Sequence, residues 1–294
     1  MSNPNTASQA SPAQATAPRP PQFAHRDPGL AFTDGAAQFN SWSEQLWDPA
    51  ARIVVERAAL TPGQTVLDAC CGAGAATLPA AELVGPEGAV DGVDLSSGLL
   101  ALAGRRLAER GILHTTLTEA DVTSWRGHRR YDAVLCCYSA FFFSPMAAGV
   151  DHLVSMLAAG GIFVMSTWAE GALSPLAEVI LEAAVTERPR LAGVTPEPNR
   201  NMALISDVDS LERWLRARGL VNVAVSIEPL SLTVSAELAW ALVMGSGWRT
   251  LLPRDPEAIA RVRAQFLKRI AKLSDPQGLI AFNSDTLIGS GQRG

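Results

Sequence analysis

The residues of this chain best suited to chemistry are an acid and two glycines that lie close together in its first third. The segment Val66–Gly74 reads V-L-D-A-C-C-G-A-G, so the carboxylate of Asp68 precedes Gly72 and Gly74. An apolar run that ends in an acid and a small-residue turn, followed by a helix over Ala75–Leu83, predicts a strand, a tight turn and a helix N-terminus. Glycine suits such a turn because a Cβ would block a ligand from the backbone and would penalise positive φ. The pattern therefore predicts a site for a nucleotide-like ligand.

The position of Asp68 separates two kinds of ligand. A dinucleotide site requires G-x-G-x-x-G, whereas here Thr77 stands at the third glycine position and Asp68 would repel a phosphate. A carboxylate suits a ligand that carries an ammonium and a sulfonium group. The segment resembles the first motif of the class I S-adenosylmethionine-dependent methyltransferases, in which an acid is followed by x-G-x-G-x-G. Asp68, Gly72 and Gly74 match that motif, and Cys70 replaces its first glycine.

A second acid follows at the distance that this family requires. Ala89–Asp94 reads as a strand that ends in a carboxylate, with Leu95 directly after it. The resemblance implies that Asp94 accepts both ribose hydroxyls of S-adenosylmethionine, since two carboxylate oxygens suit a vicinal diol.

Three further signals follow in the family's order. A third strand near His114–Leu117 leads to Asp121, whose counterpart accepts from the adenine amino group, and to Val122. Tyr131–Cys137 reads as the fourth strand, and Leu157–Met165 resembles the family's L-x-P-G-G turn into the fifth, with alanine in place of proline. The cofactor-binding residues that the resemblance implies are Asp68, Cys70, Gly72, Gly74, Asp94, Leu95, Asp121, Val122 and Cys137.

The fold that the resemblance implies is α/β, with a doubly wound, mostly parallel sheet of seven strands and a helical cap. Five strands are expected to start near Thr65, Ala89, His114, Tyr131 and Gly161. A sixth strand is expected over Asn222–Leu230, and Gly278–Ile288 is expected to be an antiparallel strand inserted beside the fifth. Between them, the S-x-x-D pattern Ser206–Asp209 predicts a helix start, and Gly219 predicts its end.

The chain divides by composition into a tail, a cap segment and a main domain. Residues 1–28 are rich in proline and lack an apolar core, which predicts a disordered tail. Residues 29–60 are expected to form an N-terminal helical cap, with helical spacing over Ala36–Ala59 that Pro49 interrupts. Residues 61–294 are expected to be the methyltransferase domain, and its long inserts, 169–204 and 233–276, to build a lid and an acceptor pocket.

The composition of the chain argues against some classes of binding partner and indicates a cellular compartment. The 294 residues carry a net charge of −5 without a cluster of basic residues, which argues against nucleic acid. The apolar stretches are shorter than the ~18–20 residues of a membrane span. The four cysteines form two adjacent pairs, Cys70-Cys71 and Cys136-Cys137, which is not a disulfide framework and predicts a reduced, cytoplasmic protein. Because neighbouring residues on a strand point to opposite faces, these thiols are not expected to bind a metal.

The candidate for a catalytic group is Tyr138, just beyond the carboxyl end of the fourth strand. Its alternative role is that of a packing aromatic with a hydrogen-bonded hydroxyl. His152 is expected to be a surface or packing residue rather than a base. The segment Ser139–Phe143 stands where amino-methylating relatives carry Asn or Asp, two prolines and an aromatic, which argues against an exocyclic amine target. Its three phenylalanines, Phe141–Phe143, predict an apolar wall.

These observations predict methyl transfer from S-adenosylmethionine, by in-line displacement, to a small and largely apolar acceptor of quinone, phenolic or natural-product type. The chain resembles the group that includes ubiquinone and menaquinone C-methyltransferases and natural-product methyltransferases. Two alternatives stay open: a related protein that binds the cofactor and catalyses a non-methylating reaction such as cyclisation, and a non-enzymatic binding module. The sequence does not determine the acceptor, its reacting atom or the oligomeric state.

Overall fold

The computed structural model describes residues 28–294, so nearly all of the predicted tail lies outside the described residues. Within the described part the strands are β1 Thr65–Ala69, β2 Ala89–Asp94, β3 Thr115–Glu119, β4 Tyr131–Cys137, β5 Leu157–Trp168, β6 Leu220–Glu228, β7 Ser231–Ser235, β8 Leu279–Asn283 and β9 Thr286–Arg293. The α-helices are α1 Pro28–Asp34, α2 Ala36–Asn40, α3 Asp48–Ala58, α4 Thr77–Val84, α5 Ser97–Glu109, α6 Met146–Ser155, α7 Leu176–Val185, α8 Glu197–Ala203, α9 Val208–Arg216, α10 Ala236–Gly245 and α11 Pro256–Ile270.

Seven strands form one sheet, in the order β3-β2-β1-β4-β5-β9-β6. The first five pair in parallel, and β9 lies antiparallel between β5 and β6. This is the doubly wound sheet expected from the sequence, and the prediction is confirmed. Its order reverses between β1 and β4, where an open parallel sheet leaves a crevice for a ligand at the carboxyl ends of the strands.

Both faces of the sheet are buried, because successive strand residues alternate between two hydrophobic cores. Leu67 of β1 and Phe163 of β5 belong to one core, while their neighbours Val66 and Val164 belong to the other. Helices α3 and α4 cover the second core. Near-continuous apolar strands are typical of a parallel sheet with helices on both sides.

The expectation for Gly278–Ile288 is wrong in its boundaries. That range spans two strands in two sheets: β8 pairs with β7 in a separate two-stranded sheet, and β9 pairs with β5. The chain turns between them, where Asp285 N donates to Asn283 Oδ1 at 2.6 Å and Ser284 N donates to Leu230 O. The sequence does not show this break, because β8 and the start of β9 are both apolar and the turn between them has only two residues, Ser284 and Asp285.

Two expected helix boundaries also differ. Asp207, not Ser206, caps α9: its carboxylate accepts from Ser210 N at 2.8 Å, while Asp207 N donates to the Ser210 hydroxyl. In the N-terminal segment, Pro49 lies in the first turn of α3 and does not interrupt the helix. Proline is tolerated there because the backbone N–H groups of a first turn have no partner within the helix. A single π-helical turn, Ser43–Trp47, precedes α3.

The fifth strand begins earlier than Gly161. It starts at Leu157, opposite Tyr131, and a register shift with positive φ at Gly160 takes up the extra residues before regular pairing resumes at Ile162. The glycine turn is therefore part of the strand.

The two long inserts are mainly helical. Residues 169–204 contain α7 and α8, and residues 233–276 contain α10 and α11. Helix α11 packs against α7, and α10 packs against α2. The inserts thus contact each other and the N-terminal helices. Among the described residues, no helix has the length and apolar composition to cross a membrane.

Candidate functional site

The turn after β1 has the backbone conformation expected for a ligand-binding loop. Cys70, Gly72 and Gly74 have φ of 60°, 54° and 83°. A Cβ on Gly74 would overlap the side chain of Leu78, so this position requires glycine for space as well as for conformation. Cys70 adopts the left-handed conformation despite its side chain, which explains why the family carries glycine at that position.

Asp94 holds this loop against the end of β2. Its Oδ2 accepts from Gly72 N at 2.9 Å, and its Oδ1 accepts from Ser96 N at 2.8 Å. Because each carboxylate oxygen can accept more than one hydrogen bond, Asp94 can still accept from two ligand hydroxyls. Burial raises the pKa of Asp94, and the two N–H groups oppose that shift. The side chain of Leu95, the next residue, is 46% exposed and provides an apolar surface at the edge of the loop.

Asp68 lies beneath the loop and is 1% exposed. The hydroxyl of Thr77 donates to its Oδ2 at 2.5 Å. Burial raises the pKa of Asp68 from 3.8 to about 7, against the effect of the Thr77 hydrogen bond. No ion pair among residues 28–294 involves this carboxyl. A ligand cation would stabilise its charged form.

Asp121 and Val122 lie in the turn after β3, which is tied to the same edge by the bond from Ala120 N to Asp94 O. Val122 is buried, while Asp121 is exposed. Asp121 Oδ1 accepts from the backbone N–H of Thr123 at 2.9 Å and from its hydroxyl at 2.7 Å. Its second oxygen makes no hydrogen bond within the described residues and can accept from an amino group.

The four cysteines are free thiols. Cys70 and Cys137 are half-buried at the ends of β1 and β4, whereas Cys71 and Cys136 are buried. Burial raises the pKa of each thiol well above its ordinary value, so they are neutral near pH 7. Residues 28–294 contain no group of three or more His, Cys, Asp or Glu side chains placed to hold a metal ion.

Aromatic rings from three segments cover the carboxyl edge above this loop. Phe39 and Trp47 are stacked, with ring centroids 4.9 Å apart. The Phe39 ring lies 3.5 Å from where a Cβ of Gly72 would be. Trp47 meets Tyr138 edge-on, and Tyr138 stacks on Trp168 at 4.2 Å. We call Phe39, Trp47, Tyr138 and Trp168 the aromatic cluster.

Tyr138, the predicted catalytic candidate, is held tightly. Its φ is 47°, and its N–H donates to both the carbonyl and the hydroxyl oxygen of Ser166 at 3.1 Å. Its hydroxyl oxygen lies 2.5 Å from Thr286 Oγ1. Burial raises the pKa of the Tyr138 phenol well above its ordinary value. A neutral, hydrogen-bonded phenol is not a general base at neutral pH.

Thr286 and Trp168 are site residues that the sequence analysis missed. Trp168 ends β5 at the carboxyl edge, so the argument that selected Tyr138 at the end of β4 could also have found it. Thr286 is paired with Trp168 across the antiparallel β5–β9 ladder. No pattern in the sequence indicates that pairing.

The three phenylalanines of the predicted wall differ in burial. Phe141 and Phe143 are 4% and 6% exposed and belong to the core. Phe142 is half-buried and meets Phe32 of α1 edge-to-face at 6.0 Å. Asn201 of α8 donates to Phe141 O at 2.9 Å, so one insert fixes the position of this turn.

The imidazoles of His152 and His114 are bound to backbone carbonyl groups rather than to residues of the site. His152 Nε2 donates to Trp125 O at 2.7 Å, and His114 Nε2 donates to Ala81 O at 2.8 Å. Neither imidazole has a contact with the aromatic cluster among the interactions of the described residues.

Comparison with known proteins shows what the loop and its sheet are similar to. Residues 66–161 match the family model described as a methyltransferase domain. Aklanonic acid methyltransferase DauC of Streptomyces sp. (strain C5) is 30% identical over 132 residues, which are 45% of this chain and 60% of that protein. Nocamycin O-methyltransferase of Saccharothrix syringae is 27% identical over 257 residues, which are 81% of this chain and 89% of that protein.

Solved structures show the same fold at low identity. The YcgJ protein of Bacillus subtilis has a TM-score of 0.54 at 16% identity, covering 83% of this chain and 98% of its own. The cyclase SpnF has a TM-score of 0.51 at 19% identity, covering 84% of this chain and 80% of its own. The fold alone therefore does not determine which reaction is catalysed.

Proposed function

We propose that this chain, whose residues 66–161 match a family model described as a methyltransferase domain, belongs to the class I S-adenosylmethionine-dependent family and transfers a methyl group from that cofactor to a small, largely apolar acceptor. The observation that carries the proposal is the carboxylate of Asp94, held by Gly72 N–H and Ser96 N–H beside the glycine turn. A carboxylate fixed at that edge, next to backbone that a ligand can approach closely, suits the ribose of a nucleoside.

The residues present fit S-adenosylmethionine. Asp94 would accept the ribose hydroxyls and Asp121 the adenine amino group, with Leu95 and Val122 as apolar contacts for the base. Asp68, a buried carboxyl without a cation, would face the positively charged methionine end. Cys70 and Cys137 would line the same end as neutral groups. The buried carboxyl of Asp68 and the half-buried carboxylate of Asp94 suit a cationic ligand better than a phosphate, since the neighbouring Arg106 is already paired with Asp48.

When bound, S-adenosylmethionine would supply its sulfonium methyl group to a nucleophile of the acceptor, and S-adenosylhomocysteine would leave. The chain contributes mainly positioning and exclusion of water. The aromatic cluster forms an apolar surface that can hold an acceptor beside the cofactor, and well-oriented groups gain up to ~7–11 kcal/mol over separate reactants. Because charge disperses in the transition state, a dry apolar pocket does not oppose the reaction.

The apolar surface of the aromatic cluster and the names of the relatives support this class of acceptor. DauC is named for aklanonic acid, and other relatives are demethylmenaquinone methyltransferases that match over shorter segments. A pocket between residues 39–47, 138–143 and 233–276 would present Phe39, Trp47 and Phe142 to such an acceptor. A net charge of −5 supports a small molecule rather than nucleic acid, and four free cysteines support a cytoplasmic enzyme.

The direct test uses methyl-labelled S-adenosylmethionine with a panel of phenols, quinones and prenyl compounds. Transfer of label to an acceptor is the expected result. Conversion of an acceptor without label would favour the non-methylating alternative, and cofactor binding without any conversion would favour a binding module.

The assignment of Asp94 has its own test. Asp94→Asn should weaken cofactor binding by roughly 1.5–3 kcal/mol, the value of hydrogen bonds to a charged group. Glu87→Gln, an exposed acid in the turn before β2, is the matched control and should bind normally. Calorimetry showing equal affinities for the two variants would contradict the assignment.

A further inference from the structure

The hydroxyl of Tyr138 begins a short chain of hydrogen bonds that runs away from the aromatic cluster. Tyr138 Oη lies 2.5 Å from Thr286 Oγ1, and Thr286 Oγ1 donates to Ser284 O at 3.0 Å. Thr286 is 2% exposed and Ser284 is fully buried. The chain of bonds therefore ends inside the protein.

Which group donates in each of these hydrogen bonds follows from the number of protons that each hydroxyl carries. A threonine hydroxyl has one proton, and a backbone carbonyl can only accept. If Thr286 donates to Ser284 O, its oxygen must accept the proton of Tyr138. The phenol proton then points toward β9, and the remaining lone-pair side of the phenol oxygen is left for another partner.

We infer that Thr286 is a positioning residue that turns Tyr138 into a hydrogen-bond acceptor for the substrate, so that the site selects acceptor molecules carrying an O–H or N–H group beside the methylated atom. This inference rests on the proposed function and names a substrate class within it. Tyr138 then orients a donor group and removes no proton, because its own proton is bound to Thr286 and the chain ends at a carbonyl that cannot take another.

The position of Tyr138 supports contact with an acceptor. The residue directly follows β4 at the carboxyl edge, and it is half-buried rather than buried. Stacking on Trp168 and the edge contact with Trp47 fix the ring, so the phenol oxygen has a defined direction. Trp47 in turn stacks on Phe39, whose ring lies over Gly72. The rings of Trp47 and Phe39 thus connect the Tyr138 ring to the glycine turn.

The experiment measures binding of two aromatic probes to the full chain loaded with S-adenosylhomocysteine, by equilibrium dialysis. The probe 2-naphthol can donate a hydrogen bond, whereas 2-methoxynaphthalene can only accept one. The wild type should bind 2-naphthol about tenfold more tightly, the value of one hydrogen bond.

Two variants should reduce this ratio to about threefold or less by opposite routes. Tyr138→Phe removes the accepting oxygen, so 2-naphthol should bind more weakly. Thr286→Val frees the phenol proton to donate, so 2-methoxynaphthalene should bind more tightly. Thr286→Ser keeps the hydroxyl and should keep the wild-type ratio. A purely structural role for Thr286 would weaken both probes equally.

A wild-type ratio near one would overturn the inference, as would an unchanged ratio in Tyr138→Phe or Thr286→Val. Calorimetry with S-adenosylhomocysteine separates this failure from failure of the proposed function. Normal cofactor binding with an unchanged ratio rejects only the inference about Tyr138 and Thr286. Absence of cofactor binding in the wild type rejects the proposed function, and the probe ratios measured without cofactor then still test the two residues.

Discussion

The acids at the carboxyl edge differ in their surroundings, and this difference determines what each can do. Asp94 receives two backbone N–H groups, whereas Asp68 is held by the hydroxyl and the backbone of Thr77 and is more deeply buried. Asp68 is therefore held closer to neutrality, with a pKa of about 7. A carboxyl in this state responds to pH and to a bound cation within the physiological range.

The pH dependence of stability should reveal Asp68. Because its pKa is raised from 3.8 to about 7 in the folded protein, the folded state binds this proton more tightly than the unfolded state. Its contribution to stability is full below pH 3.8 and is lost as pH rises through 7. Asp68→Asn should remove this dependence, so that the variant gains up to about 4 kcal/mol relative to wild type between pH 4 and pH 8.

Urea unfolding without cofactor at pH 4, 6 and 8 measures the effect. Glu87→Gln is the control for loss of one negative charge and should follow the wild-type curve. If Asp68→Asn also runs parallel to wild type across this range, Asp68 titrates normally and is more solvated than the structure indicates.

The N-terminal helices and the second insert meet along a seam that requires glycine. A Cβ on Gly245 would overlap the backbone nitrogen of Phe39, and one on Gly35 would overlap the carbonyl oxygen of Met244. A Cβ on Gly247 would lie 2.7 Å from the Phe142 ring. Backbone therefore packs directly against backbone where α10 crosses α2. The same contact holds Phe39 above the glycine turn.

Gly245→Ala should separate α10 from α2, because a backbone atom cannot move aside as a flexible side chain can. We expect a loss of about 1–3 kcal/mol in unfolding free energy, as for other overpacked sites, together with weaker cofactor binding. Gly104→Ala in α5 is the control: its nearest neighbour would be 3.8 Å away, and alanine is the better helix former. Thermal unfolding and calorimetry measure the two effects. Equal behaviour of both variants would show that the seam is not tightly packed.

Arg106 connects the N-terminal helices to the glycine turn. Its guanidinium pairs with Asp48 at 2.7 Å and donates to Ala73 O at 3.0 Å. Both side chains of the pair are only partly exposed, at 20% and 24%, so the bridge is less screened than a surface ion pair. One arginine on α5 thus holds α3 and the turn after β1 together.

Arg106→Met should cost about 1–2 kcal/mol in stability and should increase hydrogen exchange in residues 36–58. Arg105→Met is the matched control, since Arg105 is exposed on the same helix. Exchange mass spectrometry compares the two variants over the same peptides. If Arg105→Met and Arg106→Met exchange alike, the bridge does not hold the N-terminal helices in place.

Across the whole molecule, the candidate site lies where the sheet edge, the N-terminal helices and both inserts converge. A ligand bound there would connect these parts and stabilise all of them against unfolding. At one hundred times its dissociation constant, S-adenosylhomocysteine should add about 2.7 kcal/mol, which raises Tm by roughly 4–5 °C in a chain of this length.

Differential scanning calorimetry measures that shift, and tryptophan fluorescence provides a second signal. Trp47 stacks on Phe39 above the turn, so ligand binding should change its emission, and Trp47→Phe should reduce the change. Trp214, on α9 under Arg218, is the control position, and Trp214→Phe should keep it. A wild-type Tm that does not respond to ligand would contradict cofactor binding at this site.

The local pattern of residues was sufficient for the parallel half of the fold. The strands β1, β2 and β4 follow from short apolar runs, and the turn after β1 follows from Gly72 and Gly74, because glycine adopts positive φ without the steric penalty that a Cβ brings. These features depend on residues that are neighbours in sequence, so spacing and residue type define them.

Contacts between distant segments could not be derived in this way. Three features depend on such contacts: the break between β8 and β9, the pairing of Thr286 with Trp168, and the packing of Gly245 on Phe39. Each is determined by segments that are far apart in the chain. The surroundings of Tyr138 could not be derived either: its sequence position indicated a catalytic group, and its hydroxyl oxygen lies 2.5 Å from that of a threonine 148 residues later. Hydrogen-bond direction and burial depend on three-dimensional neighbours, and those are fixed only when the inserts and the C-terminal strand pack onto the sheet.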